Sequence, residues 1–519
     1  MPLKAQYEFL VFLLLAVLVL EYVGRRLRLP PAASFITGGM LLAFLPGVPK
    51  IEIDPDLIMV VFLPPLLMSG AYFTHWRDFK AQIRGIISLA LGAVLFTTAA
   101  VGLVLHALLP NLPLAICFAI GAIVSPPDAV AATAVLRKLK LPNKVISLLE
   151  GESLINDATG LVLFGIAVTA ALTGAFSASH AVEWFLWLAI VGAAVGFGTG
   201  WLGMFVIRRL GETELVITAT LLLSTASYIC AEAVGGSGVL STVASGLVVS
   251  WHQHDAVYAA TRVRAHSFWK SLVFMMESLL FILIGLSLRD VVTRLSGDSD
   301  ALYANVIPVV AVVFTVVVAR FIWVALCALT FWPGGKGNRS SKGTSTFKNI
   351  AIIGWSGMRG VVTLAAALSF PAELPGRDLV LLSAFVVIVV TVFIQGSTQA
   401  PLARMLGIAS ADEKEELEVR KTAIRKHLAE VRQKAALTKP MRPSDHSKAA
   451  RLAEPNAAGR PVKIMPSDQE DFKLALQLVR DARVELLRLY RKGEIHDHVL
   501  REIEYELDLE EMAVENRLS

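Results

Sequence analysis

The chain has 519 residues, of which 55% are hydrophobic and only 18% are charged. Soluble proteins carry about 25% charged residues, so this composition and a mean hydropathy of +0.62 exclude an ordinary soluble protein. Residues 411–519 nevertheless hold 21 of the 48 Lys and Arg and 22 of the 43 Asp and Glu. We predict a transmembrane domain over residues 1–408 and a charged, helical cytoplasmic tail over residues 409–519.

Apolar runs long enough to cross a bilayer as helices, about 20 residues, predict an all-α polytopic membrane protein. We expect about thirteen spans, near residues 7–23, 32–45, 56–73, 83–109, 113–137, 144–172, 181–207, 212–234, 237–252, 267–290, 302–332, 347–370 and 376–406. The first run lacks a small-residue cleavage site and is followed by three arginines, so we interpret it as a retained span and not as a signal peptide.

The loop charges give the orientation of these spans. One set of alternate loops contains nineteen Lys and Arg, whereas the opposite set contains four. Because basic loops stay in the cytoplasm, we expect a multi-pass inner-membrane protein with its N-terminus outside and its tail inside.

The fifth span contains the sequence Ser125-Pro126-Pro127-Asp128. Two consecutive prolines remove two backbone donors and obstruct the preceding turn, so the helix should be unwound there. Irregular backbone at membrane depth requires protein or a cavity around it. Asp128 would then cap the second half-helix; a simple kink with a capping aspartate is the alternative.

The sixth span carries Glu152, Ser153, Asn156 and Asp157. Ser153 and Asp157 are four residues apart and share one helical face, with Asn156 beside them. A carboxylate, a hydroxyl and an amide oxygen are hard donors that suit Na⁺ or Li⁺. A proton and a cation can compete for a carboxylate in a site of low dielectric. A polar cluster that only holds helices together is the alternative.

The twelfth span contains Arg359 among three glycines, Gly354, Gly357 and Gly360. This composition indicates a second broken or closely crossed helix, and pairs of interrupted helices in the two halves of a transporter mark a midplane site between inverted repeats. We expect Arg359 to pair with an acid, with Glu152 as the first choice.

Charged residues that remain inside spans are costly, so each must face protein or water. Besides the residues above, these are Glu232, Glu277 and Arg320. The two glutamates are predicted to line a funnel or to make structural hydrogen bonds. Arg320 either neutralises one of them or extends towards the membrane surface.

The tail contains an amphipathic stripe with three- and four-residue spacing. Its members are Phe472, Ala475, Val479, Ala482, Leu486 and Leu489. The stripe requires a partner, which is the tail of a second copy, another tail helix or the membrane domain.

Three motifs resemble those of the cation–proton antiporter family, in the subgroup of bacterial Na⁺/H⁺ antiporters and animal sodium–proton exchangers. They are Gly-Glu-Ser-x-x-Asn-Asp at 151–157, Ser-Pro-x-Asp-Ala-Val at 125–130 and Gly-x-Arg-Gly at 357–360. The resemblance covers about residues 5–408. Pro127 departs from it, because many relatives have threonine there.

The resemblance implies a homodimer in which each copy has a six-helix core and a dimerisation domain. It also implies that Asp157 is shared by the cation and the proton, with Asp128, Ser153 and Asn156 near the ion and with Asp157, Asp128 and Ser153 as Na⁺ ligands. Glu152 and Arg359 would form a supporting ion pair. The Asn-Asp pair is typical of electroneutral exchange of one cation for one proton.

We therefore predict an antiporter of Na⁺, or of Li⁺ or K⁺, against H⁺, with no cofactor, no nucleic-acid partner and no enzyme activity. A cation channel is the alternative from a different class. An intramembrane enzyme is a further alternative, but the sequence has no zinc-protease motif and no nucleophile with a placed histidine. A transport-inactive sensor on the same fold is also open.

Overall fold

The structure is a computed structural model. It describes residues 3–27, 29–45, 58–74, 76–128, 143–295, 299–331, 339–407, 411–438, 469–495 and 497–518. Throughout these ranges the regular secondary structure is helical and contains no β-strand, which confirms the predicted all-α class.

The first helices in chain order follow the apolar runs of the sequence. They are α1 (Leu3–Leu27), α2 (Pro31–Ala43), α3 (Leu63–Phe73), α4 (Trp76–Ala81), α5 (Ile83–Ile87), α6 (Val94–Leu108), α7 (Leu114–Val124), α8 (Asn143–Thr173) and α9 (Ala178–Ile207). Short π-helical segments precede α3 (Ile58–Phe62) and α6 (Ser88–Ala93).

The second half of the membrane domain and the tail continue the series. The helices are α10 (Thr213–Ala233), α11 (Gly238–Ala256), α12 (Ala259–Leu295), α13 (Ser299–Phe331), α14 (Arg339–Trp355), α15 (Val361–Leu368), α16 (Arg377–Val390), α17 (Gly396–Met405), α18 (Ala411–Thr438), α19 (Gln469–Lys492) and α20 (Asp497–Leu518). A π-helical segment, Thr391–Gln395, joins α16 to α17.

Seven helices in the described part of the chain are long and apolar enough to cross a membrane, and three further apolar helices are shorter. Every predicted span contains helix in its described residues, although residues 125–128 of the fifth span and 356–360 of the twelfth are not helical. Residues 129–137 of the fifth span lie outside the described residues. The count of thirteen spans stays a prediction.

The membrane helices pack as two groups. The first group contains α1, α2, α3, α9, α10, α11 and α12, and the second contains α5 to α8 and α13 to α17. Glycines allow close packing within the first group, because a Cβ at Gly196 would lie 2.2 Å from the carbonyl oxygen of Ser241. The predicted site residues come mostly from the second group.

The tail helices α18, α19 and α20 pack around one apolar cluster that includes Leu428, Val479, Leu486, Ile503 and Leu507. The part of the α19 stripe from Val479 to Leu489 is therefore covered by other tail helices, which is one of the alternatives predicted for it.

Helix α20 also contacts the membrane domain through two arginines. Nε of Arg262 in α12 donates to Oδ2 of Asp508 at 2.9 Å. Nη2 of Arg501 donates to the carbonyl oxygen of Thr74 at 2.9 Å and to Oγ of Ser250 at 3.3 Å. Thr74 is the C-cap residue of α3, and carbonyl groups at a helix C-terminus lack helical partners and favour a basic side chain. The tail thus docks on the first group of helices.

Candidate functional site

Two interrupted helices meet inside the second group. α7 is followed by the non-helical residues 125–128, and α14 and α15 are separated by the non-helical residues 356–360. Pro126 and Pro127 cause the first break because neither has an N–H to donate. Both breaks occur where the sequence predicts them. The predicted capping of the second half-helix by Asp128 concerns residues outside the described ranges.

The two breaks are bonded to each other. The backbone N–H of Asp128 donates to the carbonyl oxygen of Met358 at 2.7 Å. Nη1 of Arg359 donates to the carbonyl oxygen of Ser125 at 2.6 Å. A Cβ at Gly360 would lie 1.9 Å from Oδ2 of Asp128, so only glycine permits this approach. The crossing therefore satisfies polar backbone groups that the missing helical turns leave unpaired.

Helix α8 packs against the first break through Asn156, which is fully buried. Its Nδ2 donates to the carbonyl oxygen of Pro127 at 2.6 Å, while its Oδ1 has no hydrogen-bond partner among the described residues. Ser153 and Asp157 are partly buried on the same helix. Asn156 thus holds α8 against the first break, and its amide oxygen remains without a hydrogen-bond partner among the described residues.

Three carboxylates converge at this crossing. Asp128 lies close enough to Asp157 and to Glu277 for their charges to interact. In the part of the chain that the structure describes, neither Asp157 nor Glu277 has a hydrogen-bond or ion-pair partner. Glu277 belongs to α12, so the first group of helices also contributes to the site. Among the described residues Glu277 therefore lacks the structural hydrogen bond that is one of its two predicted readings, and the funnel stays a prediction.

The ion pair predicted between Glu152 and Arg359 is wrong. Arg320 of α13 holds Glu152, with Nη1 and Nη2 donating to Oε1 and Oε2 at 2.6 and 3.0 Å. Nε of Arg320 donates to the carbonyl oxygen of Ile353 at 3.2 Å. The physical reason is that the orphaned carbonyl of Ser125 takes the guanidinium of Arg359 instead. The sequence predicts Arg320 as a costly charge inside a span but does not match it to Glu152.

Glu232 lies away from the crossing. It is exposed near the end of α10, and its Oε1 accepts a hydrogen bond from the N–H of Gly238 at 3.1 Å. The carboxylate therefore lies at the first residue of α11, where it satisfies a helical N–H. Its role in the structure is the hydrogen bond predicted as one alternative.

Carboxylate, amide and hydroxyl oxygens occur on the residues at and beside the crossing. Asn156 bonds the break that ends at Asp128, and Ser153 and Asp157 lie on the same helix as Asn156. The two arginines of the region are engaged elsewhere, one with Glu152 and one with a backbone carbonyl. Neither arginine therefore pairs with Asp157 in the described part of the chain.

Known proteins resemble this chain over most of its membrane domain. A family model described as sodium/hydrogen exchanger, transmembrane, matches residues 10–405. A sodium, potassium, lithium and rubidium/H⁺ antiporter of Bacillus pumilus is 34% identical over 374 residues, which is 69% of this chain and 55% of that protein. An uncharacterized Na⁺/H⁺ exchanger of Mycobacterium bovis is 28% identical over 544 residues, covering 97% of this chain and 95% of that protein.

A solved structure shares the fold. The sodium proton antiporter of Methanocaldococcus jannaschii at pH 8 superposes with a TM-score of 0.61 at 20% identity, over 78% of this chain and 99% of that chain. The match to the Bacillus pumilus antiporter spans only about half of that relative's length, 55%.

Proposed function

Because the chain belongs to the transmembrane sodium/hydrogen exchanger family, we propose that it exchanges a monovalent cation for protons across the inner membrane. The family predicted from the three motifs is confirmed by the match over residues 10–405. Na⁺ is the first candidate cation. Li⁺ and K⁺ are alternatives, since the Bacillus pumilus relative is named for sodium, potassium, lithium and rubidium.

The observation that carries this proposal is the missing counter-charge of the Asp157 carboxylate. Its carboxylate lies at the crossing of two broken helices, beside Asp128, and has no counter-charge among the described residues. An isolated negative charge in this setting is costly, so a carboxylate there binds either a proton or a cation. Because one group cannot hold both, loading one ion releases the other.

Asn156 supports an electroneutral cycle. Its amide stands next to Asp157 where a second acid would add another negative charge, and the amide is fixed by the carbonyl of Pro127. With one titrating carboxylate on α8, one proton is displaced by one monovalent cation. Glu152 adds no charge to the cycle because Arg320 neutralises it.

We place the N-terminus outside and the tail in the cytoplasm, from the excess of basic residues in one set of loops. We also propose a homodimer, as the resemblance implies. The transported ions and the lipid bilayer are the partners of this cycle, and it requires neither a cofactor nor a covalent reaction.

The test is cation-driven proton flux in everted vesicles. Addition of Na⁺ should raise the interior pH through exchange, and Li⁺ or K⁺ added separately ranks the substrates. Asp157→Asn should abolish the flux, whereas Asp378→Asn, which alters an exposed aspartate in the first turn of α16, should leave it unchanged.

A voltage clamp by valinomycin and K⁺ separates exchange from conduction. An exchanger of one cation for one proton should keep its Na⁺-driven flux when the potential is set to zero. Na⁺ currents that follow the Nernst potential would establish the channel instead, and full activity of Asp157→Asn would exclude the proposed mechanism.

A further inference from the structure

The π-helical segment Thr391–Gln395 lies beside the second helix break. Oγ1 of Thr391 accepts a hydrogen bond from the backbone N–H of Arg359 at 3.0 Å. The same hydroxyl donates to the carbonyl oxygen of Val387 at 2.8 Å. Both Thr391 and Arg359 are 1% exposed, so water does not substitute for this contact.

The N–H of Arg359 needs this acceptor because the break removes its helical one. A buried backbone donor without a partner is strongly unfavourable. Thr391 can provide the oxygen because its hydroxyl proton is already directed to its own preceding turn, which leaves a lone pair facing the break. π-Helical segments often occur at functional sites.

One peptide group links the hydrogen bond between Arg359 and Thr391 to the proposed ion site. The N–H of Arg359 and the carbonyl of Met358 belong to the same planar unit. The carbonyl accepts from the N–H of Asp128 at 2.7 Å, while the N–H donates to Thr391 at 3.0 Å. The peptide is therefore held at both ends, and a rotation at one end displaces the other.

We propose that Thr391 is a positioning residue for the cation site. Its hydroxyl fixes the peptide between Met358 and Arg359 and thereby sets the position of Asp128 relative to Asp157. This role rests on the proposed exchange function. Thr391 does not touch the ion, so its loss should weaken cation binding more than it slows the loaded carrier.

Two substitutions separate the hydroxyl from the size of the side chain. Thr391→Val keeps the shape and removes the acceptor, whereas Thr391→Ser keeps the acceptor and removes a methyl group. Thr398→Val is the matched control, because Thr398 lies in α17, directly after the π-helical segment, and its hydroxyl accepts from Nε1 of Trp355 at 2.9 Å. That contact involves a side chain outside the break.

The experiment measures the apparent KM and the maximal rate of Na⁺-driven proton flux in proteoliposomes of purified full-length protein. We expect Thr391→Val to raise the KM for Na⁺ about tenfold, as losing one buried acceptor implies, with the maximal rate changed by less than about threefold. Thr391→Ser and Thr398→Val should stay within about twofold of wild type in both quantities.

An unchanged KM in Thr391→Val would overturn the positioning role, and so would a tenfold higher KM in Thr391→Ser, because packing would then explain the effect. If Thr391→Val does not fold, Thr391→Ala replaces it, and its KM for Na⁺ should rise by the same factor relative to that of Thr391→Ser. Absence of cation-driven flux in wild type would refute the proposed function itself. Wild-type exchange with an unchanged Thr391→Val refutes the positioning role alone.

Discussion

Replacement of Arg320 by methionine perturbs the buried ion pair that holds α13 to α8. Arg320 and Glu152 are 3% and 1% exposed, and their two hydrogen bonds measure 2.6 and 3.0 Å. The guanidinium also donates to the carbonyl of Ile353 in the last turn of α14. One side chain thus joins three helices next to the proposed ion site.

The size of the expected loss of stability follows from the burial of the ion pair. Removing one partner of a buried pair leaves an uncompensated charge and costs about 3–5 kcal/mol. Arg320→Met should therefore lower the thermal midpoint of the purified protein by about 3–5 °C, because the entropy of unfolding grows with chain length. Replacing Glu152 as well removes the stranded charge, so the double variant Glu152→Met, Arg320→Met should regain most of that loss.

A double-mutant cycle on the thermal midpoint or on urea unfolding measures the coupling. For Glu152 and Arg320 we expect a coupling of about 2–4 kcal/mol. The same cycle with Glu152 and Arg359 should give less than about 1 kcal/mol. A larger coupling to Arg359, or unaltered stability in Arg320→Met, would refute the pairing seen in the structure.

Three further predictions concern the crossing and the tail. Gly360→Ala should abolish cation-driven flux while the protein still folds, because the new Cβ would lie 1.9 Å from Oδ2 of Asp128. Arg501→Ala should loosen the tail and raise its amide hydrogen exchange by at least about tenfold, since three acceptors on the membrane domain are lost. Burial would raise the pKa of Glu511, but Arg480 and Arg483 outweigh it and hold this pKa below its usual 4.5. The stabilisation from Glu511 is therefore present above pH 4.5 and is lost as the pH falls further, so the difference in thermal midpoint between wild type and Glu511→Gln should shrink below that pH.

Each of these three predictions has a matched control variant or a result that would contradict it. Gly165→Ala adds a Cβ with nothing within 4 Å and should transport normally; equal activity of Gly360→Ala would contradict the crossing. Arg488→Ala removes an exposed pair with Glu485 and should leave tail exchange unchanged. A wild-type advantage over Glu511→Gln that grows on acidification would contradict the sign derived for that carboxylate.

The parts of the site that depend on local sequence were predictable. Pro126 and Pro127 break a helix wherever they occur in one, and the glycines around Arg359 indicate the second break. The spacing of Ser153 and Asp157 follows from helical periodicity alone. The positions of both helix breaks are therefore evident before any contact is known.

Contacts between distant elements were not predictable in the same way. Arg320 and Arg359 are both buried cations, and the choice of partner for Glu152 depends on how α13 and α14 cross α8. The sequence does not encode that crossing in any local pattern. The same holds for Arg262, whose partner Asp508 lies far along the chain in a tail helix. The positioning role of Thr391 was not predictable either, because it depends on an orphaned N–H on another span.

The central claim is that a cation displaces a proton from Asp157. Its most direct test adds Na⁺ to purified full-length protein in weakly buffered detergent solution and measures proton release with a pH indicator. We predict release that saturates with Na⁺, is lost in Asp157→Asn and is retained in Asp378→Asn. Undiminished release from Asp157→Asn, or Na⁺ binding to wild type without release of a proton, would contradict the account.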